Sequence, residues 1–340
     1  MKIDEKYIKR CLLIAKNGLS ASMPNPSVGA VIVFDNQIIG EGFTSAYGGN
    51  HAEVNALNSV KDKSLLKKAT IYVSLEPCSH FGKTPPCCDL IIKNQIPNVV
   101  IGISDPNGKV AGNGIKKLIE AGKNVTVGVL ESECWEANKR FFTFHQKKRP
   151  YIILKWAESQ DGFIAPDFKE KNEPFWITNS FSQQLSHKWR SEEQAILVGT
   201  KTVTGDNPGL TTRNWYGKNP IRIAIDKNNR IPKESKIFDN QAKTFVLNSE
   251  IISFDKNIAQ QIAQVLFQEE IQSVIIEGGT KTLQTFINEN IWDEARIFKS
   301  NIFIKKGIKP PVFEGNLESK TNILNDQLVI FSHYDKHNYI

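Results

Sequence analysis

The stretch from His51 to Cys87 brings together an imidazole, two thiols and a carboxylate in the order a catalytic zinc site requires. It opens with His51-Ala52-Glu53; after 23 further residues comes Pro77-Cys78, then an eight-residue spacer and Cys87, with Cys88 directly behind. Three protein ligands hold such a metal, a water takes the fourth position, and a carboxylate that is not a ligand moves protons. His51, Cys78 and one of the two adjacent thiols are the expected ligands, and Glu53 is the expected proton shuttle. Neighbouring residues on a helix point about 100° apart, so only one of Cys87 and Cys88 should reach the metal. A purely structural zinc would need a fourth protein ligand, which His80 or Cys88 could supply; the position of Glu53 favours catalysis.

Periodicity supplies the frame for these residues. Residues 4–18 carry apolar side chains at Tyr7, Ile8, Cys11, Leu12 and Ala15, a helical spacing that Asn17-Gly18 ends. Val31–Phe34 and Gln37–Gly42 flank the Asp35-Asn36 turn as a hairpin, entered through the rigid segment Pro24-Asn25-Pro26. Ala52–Ser59 is expected to be helical, with His51 and Glu53 at its first turn. Ala69–Leu75 is β-rich and delivers Glu76-Pro77-Cys78 at its end, where α/β sheets place their chemistry. Pro85-Pro86 suits a helix start carrying Cys87, and a thiolate there is electrostatically stabilised. Strands are further expected at 99–103 and 125–129, and helices at 114–121 and 133–144. The charged, proline-stopped run Gln146–Pro150 marks a boundary between domains 1–147 and 148–340. Beyond it the alternation restarts, with strands at 151–156, 194–199, 221–226, 243–247, 273–277, 297–304 and 327–333. Helices are expected near 180–190, 257–269 and 280–290. Both halves read as α/β with largely buried sheets.

Composition narrows the function classes. At 340 residues and 40% hydrophobic content the chain suits two globular domains. No apolar run approaches the roughly 20 residues of a membrane span. Met1–Lys16 lacks the apolar core and cleavage site of a signal peptide, so a cytoplasmic location is expected. Five cysteines, three of them within eleven residues, argue for a thiol or metal site over a disulfide framework. The net charge of +7 suits a phosphorylated small molecule, an anionic cofactor or RNA. No basic cluster interleaved with aromatics points to nucleic acid.

His-x-Glu with Pro-Cys-x-x-Cys is the signature of zinc deaminases, which hydrolyse an amino group from a ring carbon. Here the second spacing is expanded. The run Glu-Pro-Cys-Ser-His-x-Gly-Lys-Thr-Pro-Pro-Cys, after Pro-Asn-Pro-x-Val-Gly and His-Ala-Glu-Val-x-Ala-Leu, closely resembles the bifunctional riboflavin-biosynthesis deaminase/reductases. The turn Asp105-Pro106-Asn107 with Gly112-x-Gly114 is similar to that family too. The resemblance implies an N-terminal cytidine-deaminase-like three-layer domain, Cys87 as the third zinc ligand, and a diaminohydroxypyrimidine substrate carrying a phosphoribosylamino group. It also implies substrate contacts at Asn25, Lys83 and Asn107. One departure is Thr44, where the family usually has His; reshaped substrate binding is expected from it.

In the second half, Val198-Gly199-Thr200-x-Thr202-Val203 with Asp206-Asn207-Pro208 reads as a strand end and ligand-contacting loop. Ile275-Ile276-Glu277-Gly278-Gly279-Thr280 runs from a strand through glycines into a helix, a geometry that suits phosphate. The full dinucleotide fingerprint is absent. Leu154-Lys155-x-Ala157-x-Ser159-x-Asp161-Gly162, Trp176-Ile177-Thr178, His187-x-x-Arg190 and Glu277-Gly278-Gly279 resemble the reductase half of the same family. So does Thr202-Val203-x-x-Asp206-x-Pro208-x-Leu210-Thr211-x-Arg213. The resemblance implies a dihydrofolate-reductase-like domain binding NADPH through Ala157, Trp176, Thr202, Asp206 and Gly279. Arg190, Leu210, Arg213 and Glu277 are the implied substrate residues, the arginines suiting a ribose phosphate. A homo-oligomer through the reductase half, without nucleic-acid or membrane partners, completes the expectation. Departures are Gln160 for the usual Leu and Pro174 for a substrate-contacting Ser.

Overall fold

The structure is a computed structural model that describes residues 3–19, 21–81, 85–106, 112–168 and 173–333. The chain divides into two compact units, Met1–Lys147 and Lys148–Ile340. The first contains α1 (Ile3–Ala15), β1 (Gly29–Phe34), β2 (Gln37–Phe43), α2 (Ala52–Ser59), β3 (Thr70–Val73) and α3 (Cys87–Lys93). It continues with β4 (Asn98–Ile101), α4 (Asn113–Glu120), β5 (Asn124–Val127), α5 (Glu131–Ala137) and α6 (Lys139–Lys147). Its sheet has the order β2-β1-β3-β4-β5; β1 is antiparallel to both neighbours, and β3, β4 and β5 are parallel.

Strand alternation decides which helix covers which face. Val31, Glu41 and Tyr72 are cross-strand partners. From α1, Tyr7 packs on the Tyr72 ring with centroids 4.9 Å apart and Arg10 pairs with Glu41, so α1 covers that face. Gly40 and Gly42, opposite Ile32 and Ala30, face the other way and meet α2. A Cβ at Gly42 would stand 2.4 Å from the Ala56 nitrogen, so glycine is what lets the helix bearing Glu53 seat against the sheet. Ala30, Val31 and Ile32 are consequently all buried, and the unit has the expected three layers.

The single helix expected over 133–144 is two helices. They break at Asn138, whose side chain accepts the Ser27 N–H at 2.9 Å and donates to the Ser27 carbonyl at 3.1 Å. This buried clamp fixes the end of the Pro24–Ser27 segment where it enters β1.

The second unit contains β6 (Tyr151–Glu158), β7 (Ala165–Pro166), α7 (Ser180–Glu192), β8 (Ala195–Gly199), α8 (Thr200–Asp206), β9 (Ile221–Ile225) and β10 (Thr244–Leu247). Then come α9 (Ile258–Gln268), β11 (Ser273–Glu277), α10 (Thr280–Asn288), β12 (Glu294–Lys299), β13 (Gly307–Ile308), β14 (Asn316–Ile323) and β15 (Asp326–Ser332). The main sheet has the order β10-β9-β8-β11-β6-β12-β15-β14, parallel from β10 to β12 and antiparallel beyond. Ile152, Leu154 and Trp156 enter one core with α9 and α10, whereas Tyr151 and Ile153 enter the other with Trp189 of α7 and Val203 of α8. The unit's first strand is pinned by a buried bidentate pair. Arg149 donates to both Asp293 oxygens at 2.5 and 2.8 Å, and Asp293 also accepts the Ile152 N–H at 2.9 Å.

Elements of the second unit also depart from the sequence reading. Thr200–Asp206, read as a loop, is a helix; the strand expected over 297–304 spans Glu294–Lys299; and β7, β13 and β14 lie outside the expected strands. Among the described residues, no helix is long and apolar enough to cross a membrane.

Candidate active sites

In the first unit the topology collects four chain segments at one end of the sheet. Because β1 is antiparallel to β2 and β3, and β4 is parallel to β3, the start of β1 lies beside the ends of β2, β3 and β4. The segments that follow or precede those ends carry Asn25, His51, Cys78, Cys87 and Asp105, the arrangement of a ligand crevice in an open α/β sheet. His51 is the N-cap residue of α2. Asn55 fixes that helix start by donating to the Phe43 carbonyl at 2.8 Å and the Ser45 hydroxyl at 2.9 Å. Cys87 is the first residue of α3, and its backbone N–H points at the Cys78 sulfur, 3.3 Å away.

The donor atoms of His51, Cys78 and Cys87 all lie within 4.8 Å of one another. His51 Nδ1 is 3.6 Å from Cys78 Sγ and 3.4 Å from Cys87 Sγ. Zinc bonds of usual length at tetrahedral angles require an N···S separation of about 3.6 Å. Both N···S separations are close to that value, so the donor set suits zinc. The Cys78 thiol is held well below its ordinary pKa, first by the Cys87 thiol donating to it and then by His51, while Cys87 is pushed up by the same bond and by burial. Hydrogen bonding to Cys78 raises the His51 pKa. Glu53 is buried beside this cluster, and burial, reinforced by the Cys78 charge, pushes its carboxyl up to about 7. A carboxyl at that value is poised to gain and lose protons near neutrality.

The alternatives of the sequence separate cleanly. Cys88 turns away from the cluster: its thiol donates to the Pro77 carbonyl at 3.2 Å, and burial pushes its pKa up to about 12. His80 is exposed and outside the donor cluster. Asn25 is half-buried, with its backbone N–H on the Ser22 carbonyl. Thr44 is buried, and its hydroxyl accepts the Val28 N–H at 3.0 Å, so it is occupied by the β1 backbone. Lys83 and Asn107 lie outside the described residues. The sequence reading gave Glu76 no role. Its buried carboxylate accepts four backbone N–H groups, and its place in the Glu-Pro-Cys run beside a ligand was the signal available.

In the second unit, β8, β11 and β6 are adjacent and parallel, so Gly199, Glu277 and Ala157 end on one edge of the sheet. Glu277 stands between two cations, with Arg190 at 3.0 Å and Lys155 at 3.6 Å. Burial alone would push the Glu277 carboxyl up; Arg190 and Lys155 overcome it and hold the value at about 2. His187 lies against the Thr211 carbonyl at 2.9 Å, and burial together with Arg190 and Arg213 lowers it to about 4. Arg190 also donates to that carbonyl, at 3.4 Å. Leu210 is buried with φ 51, which turns the chain so that Thr211 faces α7 while Arg213 remains exposed. Partial desolvation by the surrounding protein, and then Arg190, lower the Arg213 pKa, so the two guanidinium groups sense each other. Lys155, given no role from sequence, is a cation within the otherwise apolar run Tyr151–Ala157.

Of the implied cofactor residues, Ala157, Thr202 and the Gly279 turn lie at the same edge. Gly278, at φ 125, sits so close to Thr202 that a Cβ would be 2.7 Å from its hydroxyl. Gly279 is the N-cap residue of α10, and a Cβ there would meet nothing within 4 Å. Asp206 is the last residue of α8, the helix that carries Thr202, whereas Trp176 is 49% exposed on the segment leading to α7, two residues after Pro174.

Known proteins share both halves. Residues 1–103 match the family described as the cytidine and deoxycytidylate deaminase zinc-binding region, and residues 150–335 match the RibD C-terminal domain. The riboflavin biosynthesis protein RibD of Aquifex aeolicus is 38% identical over 90% of this chain and 89% of its own length. That of Escherichia coli is 39% identical over 87% of each chain. A solved Thermotoga maritima structure, described as a diaminohydroxyphosphoribosylaminopyrimidine deaminase/5-amino-6-(5-phosphoribosylamino)uracil reductase, has 35% identity and a TM-score of 0.88, covering 98% of this chain and 99% of that one. With a deaminase zinc-binding region ahead of a RibD C-terminal domain, and relatives similar along nearly their whole length, the chain belongs to the RibD family of bifunctional deaminase/reductases of riboflavin biosynthesis.

Proposed function

We propose that the first unit deaminates 2,5-diamino-6-(5-phosphoribosylamino)pyrimidin-4-one and that the second reduces the ribosyl side chain of the product to ribityl with NADPH. The observation that carries this reading is a zinc-compatible His51–Cys78–Cys87 cluster with a buried carboxylate, Glu53, beside it. Zinc held by these three residues supplies Lewis-acid activation of water. Glu53 takes the proton that the attacking water gives up and hands it to the amino group, which leaves as ammonia. Asn25, Lys83 and Asn107 serve the substrate.

NADPH, when bound, supplies the hydride for the second step. Ala157, Trp176, Thr202, Asp206 and the Gly279 turn serve the cofactor. Glu277 holds Arg190 in a fixed orientation, and Leu210 sets the turn from which Arg213 projects. Arg213, exposed and close enough to feel Arg190, is the better placed of the two arginines for a phosphate. The protein's contribution is chiefly to position the two partners. The same reading has the enzyme act in the cytoplasm, in keeping with five free cysteines, as a homo-oligomer assembled through the reductase half.

The test is incubation of the full chain with the phosphorylated diaminopyrimidine, with and without NADPH, following both products by mass. Ammonia release without NADPH, and a ribityl product only with it, are expected. Absence of ammonia release removes the deaminase assignment; a constant reduced-nicotinamide absorbance in the presence of deaminated substrate removes the reductase one. NADH in place of NADPH tests the finer cofactor choice.

A further inference from the structure

Glu76 holds a full complement of backbone donors. Oε2 accepts the N–H groups of Asp105 and Gly112, each at 3.1 Å, and Oε1 accepts those of Gly114 and Ile115 at 2.9 and 3.3 Å. The residue is 4% exposed, and its own N–H is bound to the Ile103 carbonyl at 3.0 Å. Two residues further on is Cys78. The close seat extends to the backbone, since a Cβ at Gly114 would lie 2.1 Å from the Pro77 carbonyl.

Two of the four donors, Gly114 and Ile115, belong to the first turn of α4, where free N–H groups seek an anion in any helix. The other two do not. Asp105 and Gly112 stand at opposite ends of a chain segment that contains Asn107, and both reach the same oxygen. The arrangement calls for a carboxylate specifically. Glutamine matches its shape, but whichever way the amide turns, its NH2 faces two N–H donors.

We infer that Glu76 is a positioning residue of the deaminase site. It sets Asp105–Pro106 and Gly112–Gly114 at fixed distances from the ligand Cys78, and so fixes both ends of the segment bearing Asn107. It is neither a metal ligand nor the proton shuttle. This rests on the deaminase reading above.

The experiment uses the full, zinc-loaded chain with Glu76→Gln and Glu76→Asp. For Glu76→Gln, zinc content and the reductase rate on deaminated substrate stay at wild-type values, and deaminase kcat/KM falls on the order of 10- to 100-fold, carried mainly by KM. Glu76→Asp keeps two acceptor oxygens and recovers part of the loss although it is the poorer match in size. Amide exchange supplies a readout independent of activity: the N–H groups of Asp105, Gly112, Gly114 and Ile115 exchange slowly in the wild type and faster in Glu76→Gln, while that of Cys88 is unchanged. Loss of zinc, a Glu76→Gln enzyme as good as Glu76→Asp, or unaltered exchange would each overturn the inference. If Glu76→Gln fails to fold, rapid exchange of the four amides in the wild type overturns it. A wild-type chain that does not deaminate counts against the proposed function, and the exchange data still decide the role of Glu76.

Discussion

The two units set their reactive groups at the same kind of place, the C-terminal ends of adjacent parallel strands, but secure them by opposite means. In the deaminase unit, backbone does the holding. His51 is an N-cap residue, Cys87 opens a helix, and Glu76 is met by four N–H groups. In the reductase unit, side-chain charges hold one another: Glu277 stands between Lys155 and Arg190, and Arg190 in turn depresses His187 and Arg213. In a site secured by backbone, changing one side chain releases only the segment that side chain holds. A site secured by mutual charge loses several members together.

The sharpest way to break that contrast is Glu53→Gln. Deamination should fall by about 10²- to 10⁴-fold, with zinc and reductase turnover retained; comparable ammonia release would end the proton-shuttle role. Next in size is Glu277→Gln, which leaves Lys155 and Arg190 buried without their anion. It should cost the second unit about 3–5 kcal/mol in denaturant unfolding and remove reductase activity, while the deaminase rate holds. A stability loss as small as that of a surface ion pair would show that the charges do not depend on one another. Acid should act through the same cluster. His187, lowered from 6.5 to about 4, is neutral in the fold, so the unfolded chain gains a proton first and stability declines as pH falls from 6.5 towards 4. Glu277, lowered from 4.5 to about 2, adds a second decline between those values. Unfolding of the second unit followed across this range should show both; a flat profile above pH 4 would contradict the His187 assignment.

Smaller effects test the backbone-held unit. Asn138→Ala frees both Ser27 backbone groups in a buried place and should cost about 1–3 kcal/mol, with a rise in deaminase KM through the Pro24–Ser27 segment. An unchanged thermal midpoint would remove Asn138 from that role. Thr44→Val removes the hydroxyl that accepts the Val28 N–H and donates to the Val28 carbonyl, for about 1 kcal/mol, and leaves KM unchanged. A large change in KM would mean that Thr44 reaches substrate after all.

How far this was legible from the sequence followed the same division. The metal cluster could be read because its members lie in one stretch and their types are rare together. The role of Glu76 was hinted at only by its place in the Glu-Pro-Cys run, because its partners are backbone N–H groups that leave no trace in residue type. Lys155 was hidden among apolar residues, with its partner Glu277 in β11. Among the elements, β14 escaped because an exposed edge strand carries no burial alternation. Thr200–Asp206 is a helix despite β-branched, glycine-containing sequence; only Val203 is buried, and tertiary packing overrides propensity. Asn138 broke an expected helix because its side chain serves Ser27, a partner far away in the sequence.

The Arg149–Asp293 pair has a practical consequence for anyone wishing to separate the two activities by cutting the gene. The seam must fall on the N-terminal side of Arg149. A fragment begun even one residue later would lose both hydrogen bonds that the Arg149 guanidinium gives to the buried Asp293 carboxylate beside the first strand.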